Sequence, residues 1–80
     1  MTTLHVHITN GRAPEELVET RVEGGGDGEL DVIVTRDVFN ELVRGDLLLS
    51  VGYMQGRVKV VGSSGLLMDS LAALDVHRFA

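Results

Sequence analysis

His5 and His7 are the residues of this chain whose type and spacing come nearest to a chemical site. Two positions apart on a strand, they project from one face and could offer two imidazole ligands to a metal ion. The third histidine, His77, lies near the other end of the chain. Two donors fall short of the roughly four that a structural zinc site uses. The alternation of Leu4, Val6 and Ile8 with the same histidines describes the polar face of a half-buried strand, and no metal site is assigned. Gly62-Ser63-Ser64-Gly65 stands ahead of a helical pattern, where free N–H groups can hold phosphate. It lacks the Gly-Lys-Ser/Thr ending of a P-loop and the GxGxxG spacing, so a strand-to-helix turn capped by Ser63 or Ser64 is expected. Residues 24–28 bring one carboxylate, Asp27, against the roughly six to eight oxygens that calcium takes, and read as a flexible hairpin loop. Serines 50, 63, 64 and 70 have no Gly-x-Ser-x-Gly surroundings, and no carboxylate pair stands out by spacing. No catalytic residue, cofactor or enzymatic activity is therefore expected.

Composition narrows the remaining classes. Eighty residues, 44% apolar and 24% charged, form one globular domain over 1–80 with a modest core. A net charge of −5 opposes binding to a nucleic-acid backbone, which needs a basic footprint. There is no cysteine, hence no disulfide framework and no thiolate. No apolar run approaches the ~18 residues of a membrane span, and no basic-then-apolar leader opens the chain, so a cytoplasmic protein without an integral membrane segment is expected. Aromatic residues are few (Phe39, Tyr53 and Phe79), which leaves Leu, Val and Met to fill a core or to line a cavity.

The elements that position these residues follow from periodicity. Leu4, Val6 and Ile8 mark a first strand, Asn10-Gly11 and Pro14 a turn, and Val18, Thr20 and Val22 a second strand with a charged outer face. Leu30, Val32 and Val34 mark a third, and the short connections suggest an antiparallel meander. Thr35 is suited to cap a helix in which Val38, Phe39, Leu42 and Val43 share one arc, and Gly45 to end it. Residues 46–54 read as a second helix with apolar side chains around its axis. Gln55-Gly56 turns into a strand with Val58 and Val60 on one side, and a last helix from about Ser64 carries Leu67, Leu71 and Leu74. The order βββ-αα-β-α gives an α+β fold: a small curved antiparallel sheet covered by helices. The two later helices are apolar on more than one side, as a lipid cavity or a subunit interface would require.

Residues 30–74 resemble the sterol carrier protein 2 (sterol-binding) domain family. The likeness is carried by Asp31-Val32-Ile33-Val34-Thr35 entering a helix, by Phe39, Leu42 and Val43 on its buried side, and by Gly45 at its end. It continues through Tyr53-Met54-Gln55-Gly56-Arg57-Val58-Lys59-Val60-Val61-Gly62, which is similar to the family's aromatic-x-x-Gly-basic-apolar-basic-apolar-x-Gly core. The resemblance implies a sterol-carrier-like fold that binds, and in some members transfers, a sterol, fatty acyl chain or similar lipid in an apolar tunnel. It implies ligand-facing roles for Phe39, Leu47, Val51, Tyr53, Met54, Leu67, Met68 and Leu71, with Gln55 a polar contact at the mouth. The chain departs from the family by lacking the helix before the first strand. Leu48-Leu49-Ser50 also replaces a more polar stretch, and Ser63 an aspartate. The alternative is a homodimeric interaction or scaffold module of the same fold, with its partner a second copy and no bound lipid.

Overall fold

The computed structural model describes residues 1–10, 12–23 and 27–76. The elements are β1 (Thr2–Thr9), β2 (Pro14–Val22), β3 (Gly28–Thr35), α1 (Arg36–Arg44), α2 (Leu49–Met54), β4 (Lys59–Val61) and α3 (Ser64–Val76). This is the α+β order expected from periodicity. The glycine loop at 24–26, Gly11 and His77 lie outside the described residues.

The sheet is mixed rather than a meander. Its strand order is β2-β1-β3-β4, with β1 antiparallel to β2 and parallel to β3, and β3 antiparallel to β4. Thr2 faces Val22 on one side and Gly28 on the other, so the chain leaving β2 steps across the start of β1 before entering β3. Two inter-strand spacings amount to roughly 9–10 Å, within reach of the residues between Val22 and Gly28 at about 3.3 Å each. The expected hairpin between the second and third strands is thereby corrected, because β1 occupies the place between them. A short loop can join neighbouring strands or skip one, and its composition does not distinguish the two.

All three helices cover one face of this sheet. Leu4, Val6 and Ile8 of β1 and Leu30, Val32 and Val34 of β3 are buried together with Val38, Phe39 and Leu42 of α1, Leu47, Leu49, Val58, Leu67 and Leu74. β2 contributes Val22 fully and Val18 partly, and its Pro14 end runs out past the helical layer. Asn10 closes the β1–β2 turn, its side-chain oxygen accepting from the N–H groups of Arg12 and Ala13. No helix among the described residues is long and apolar enough to cross a membrane.

Local signals set the helix limits. The N–H of Val38 donates to Thr35 Oγ1, making Thr35 the N-cap of α1, with Asp37 in the first turn and Arg44 in the last, as the helix dipole favours. α1 and α2 end in the same way. Gly45 (φ 79°) donates to Leu42 O while Asp46 donates to Glu41 O, and Gly56 (φ 74°) donates to Tyr53 O while Arg57 donates to Gly52 O. Each is a Schellman motif with glycine at the left-handed position. The first also explains why α2 is shorter than the expected 46–54. Asp46 is committed to closing α1, and Leu48 is extended (φ −81°, ψ 144°). Arg57 then pairs with Glu41, joining the ends of the two helices.

Within α2, Gly52 allows close packing. A Cβ there would lie 2.7 Å from Val58 Cγ2 and 3.2 Å from Leu47 Cδ2. The branched Val58 has no flexible end to withdraw, so Gly52→Ala is expected to lower stability by about 1–3 kcal/mol. For a domain of this size that corresponds to a fall in melting temperature of roughly 4 °C or more, measurable by thermal unfolding.

Candidate functional site

The residues implied as ligand-facing divide into a buried and an exposed set. Phe39 on α1, Leu47 before α2 and Leu67 on α3 belong to the closed core, and Leu71 is partly buried against it. Val51, Tyr53 and Met54 on α2, Gln55 after it, and Met68 on α3 are exposed, Met54 at 84% and Met68 at 67%. The structure therefore places the nine positions as floor and outer surface of the α2–α3 layer.

The outward surface of this layer is unusually apolar. Of the nine large exposed apolar side chains among the described residues, six are Leu48, Val51, Tyr53, Met54, Met68 and Val76. α3 buries Leu67, Ser70 and Leu74, and shows solvent a second stripe, Met68, Ala72 and Val76, at i, i+4 and i+8. Asp69 and Asp75 are the charged residues of α3 beside that stripe, and Asp75 is engaged with Ser50. A helix apolar on both sides normally has a covering on both sides. Ala72 and Val76 were not singled out in the sequence, where Met68 was an expected ligand contact and Leu48 part of the Leu48-Leu49-Ser50 departure. Spacing alone shows that the helices are apolar all round without saying which side the core takes.

Polar contacts hold α2 against α3. The first residues of α2 have no side-chain cap of their own, because Leu48 stands at the cap position. Asp75 of α3 supplies one from outside: Ser50 N–H donates to Asp75 Oδ1 at 2.9 Å and Ser50 Oγ donates to Asp75 Oδ2 at 2.7 Å. A carboxylate at this end of the helix satisfies free N–H groups and complements the dipole. Deeper in, Thr2 Oγ1 and Ser70 Oγ are 3.3 Å apart and fully buried, which ties α3 to the start of β1. At the start of α3, Leu66 N–H donates to Ser63 Oγ and Leu67 N–H to Ser63 O. Ser63 thus acts as the helix cap.

The opposite face of the sheet carries the histidines. His5 Nε2 lies 3.0 Å from Glu29 Oε1, His5 Nδ1 lies 4.0 Å from Glu19 Oε2, and His7 Nε2 lies 2.9 Å from Asp31 Oδ1. Each histidine spans the parallel β1–β3 pair to a carboxylate on the neighbouring strand. No group of three or more His, Cys, Asp or Glu among the described residues is arranged to hold a metal ion.

The hydrogen bond to Glu29 raises the pKa of His5 above the ordinary histidine value; its modest burial opposes this, and the charges of Glu29, Glu19 and Asp31 add to the rise. The folded state thus binds the proton more tightly than the unfolded chain. The resulting stabilisation is complete below the unfolded value near ~6.5 and is lost as pH rises through the raised folded value. Titration of the His5 ring by NMR is expected to give a lower midpoint in Glu29→Gln than in the parent chain. Asp75→Ala is expected to cost about 1–2 kcal/mol in chemical unfolding and to speed amide exchange in α2 more than in α1. Compared with known proteins, the chain matches no family model, and no curated protein matches it.

Proposed function

We propose that this chain is a short sterol-carrier-like domain of the cytoplasm that binds a hydrophobic molecule, a sterol, fatty acyl chain or similar lipid, without catalysing a reaction on it. The observation that carries the reading is the second apolar stripe of α3, Met68, Ala72 and Val76, facing away from a core that Leu67 and Leu74 already fill. The resemblance of residues 30–74 to sterol carrier protein 2 domains supports the same class of ligand.

In this reading the ligand lies against Val51, Tyr53, Met54 and Met68, with Leu71 beneath. Gln55 and the Tyr53 hydroxyl meet its polar end. Phe39, Leu47 and Leu67 become ligand contacts when α3 moves outward, so α3 acts as the gate. Methionine suits such a surface because its unbranched thioether adapts to different apolar shapes. Covering one such side chain contributes roughly 1.5–3 kcal/mol, so a few suffice to hold a lipid without a charged anchor.

A homodimer is the second reading, favoured by the absence of any charged residue from 47 to 54 and by the exposure of Leu48. It uses the same surface with a second copy in place of lipid.

Titration with a fluorescent fatty acid and a fluorescent sterol analogue distinguishes them. Saturable binding at micromolar protein is expected, and Met68→Glu is expected to weaken it about tenfold or more. The far-UV spectrum and melting temperature of that variant are expected to stay near those of the parent, since Met68 is solvent-facing. Absence of saturable binding, with an obligate dimer in sedimentation, contradicts lipid binding and supports the interface.

A further inference from the structure

The sheet face away from the helices has a concavity of about 440 Å³, lined by His7, Thr9, Pro14, Asp31, Ile33 and Val61. Small-molecule sites commonly span roughly 300–1,000 Å³ and combine apolar walls with a few convergent polar groups. Strand register builds this one. Thr9 faces Pro14 of β2, His7 faces Ile33 of β3, and Asp31 faces Val61 of β4. Pro14, Ile33 and Val61 are the hydrocarbon walls, and His7 with Asp31 is the polar centre.

The hydrogen bond between these two fixes what the centre can recognise. An ionised carboxylate only accepts, so His7 Nε2 must carry the hydrogen and donate to Asp31 Oδ1 at 2.9 Å. In its neutral form the imidazole presents a lone pair at Nδ1. Neither Nδ1 nor Asp31 Oδ2 has a hydrogen-bond partner among the described residues. Two open acceptors, one bearing negative charge, call for a guest that donates hydrogen bonds and is positively charged.

We propose that this concavity binds a compact apolar molecule bearing a protonated amine, its ammonium group on Asp31 and His7 Nδ1 and its hydrocarbon against Pro14, Ile33 and Val61. The surrounding charges are consistent with that sign. Glu19 shares a rung with His5 and Asp31 and Glu29 lies one rung further along the face, both partly balanced by His5, which bonds Glu29. Arg21 is opposite Thr3 at the far end of the same face. Lys59 is the opposing charge. It lies in register with Ile33, forms no ion pair among the described residues, and disfavours a cationic guest. The site is separated from α2 and α3 by the sheet, so it stands or falls independently of lipid binding there.

Three molecules with one hydrocarbon ring test the proposal: cyclohexylamine, cyclohexanol and cyclohexanecarboxylate, each titrated into the full chain at neutral pH. The readouts are the Ile33 methyl and His7 ring resonances. Cyclohexylamine is expected to shift both saturably and to bind more tightly than the other two. Asp31→Asn is expected to weaken it about threefold, and Lys59→Gln, a change at an exposed side chain, to strengthen it about twofold. A preference for the carboxylate, weakening by Lys59→Gln, or no saturable shift with any of the three overturns the proposal.

Discussion

The two-sided pairing of β1 is the constraint on which the structure depends. With Leu4, Val6 and Ile8 wholly buried and both edges hydrogen-bonded, β1 is the strand around which the remaining elements are placed. Its inner face must be covered by apolar side chains, and α1, α2 and α3 supply them. Its outer face bears His5 and His7, which no helix covers. The domain therefore has two chemically different surfaces, a helical layer with apolar residues outside as well as inside and a bare sheet with paired histidines and carboxylates.

The helical layer is the part of the structure to which the proposed function is assigned. α2 is a short helix whose start is capped by Asp75 of α3 and whose end is held by the Gly56 turn and by the Arg57–Glu41 pair. A helix of this length has little stability of its own. Its position depends on contacts with α3 and with Val58 under Gly52, so a displacement of α3 would also release α2. In the proposed lipid binding, this coupling is what would open the apolar interior without disrupting the sheet. The exposed Met54 and Met68 lie on the two elements that would part.

Much of this was legible in the sequence because the signals are local. Thr35 and Gly45 bracket α1 through hydrogen bonds spanning at most five residues, and the alternation in β1 and β3 follows directly from the pleat. Strand pairing was not legible, since the choice between β1 and β2 as the neighbour of β3 is a long-range matter that a glycine loop leaves open. The start of α2 was hidden for a related reason. Residues 46–48 have helix-compatible side chains, but Asp46 is engaged in closing the preceding helix and Leu47 is drawn into the core. In the candidate site, the apolar surplus of the later helices was visible, while its division was set by packing. Phe39, Leu47 and Leu67 fill space beneath the layer, and Val51, Tyr53, Met54 and Met68 remain outside. The pairing of His5 with Glu29 and of His7 with Asp31 needed the parallel register, which spacing along one strand does not contain.

Native mass spectrometry of the protein, purified gently from the cells that make it, tests the central claim most directly because subunit number and bound mass are read together. Binding of a hydrophobic molecule by the α2–α3 layer predicts a single chain carrying an adduct of lipid mass, released by organic solvent and diminished when Met68 is replaced by glutamate. A ligand-free dimer that survives dilution would contradict it.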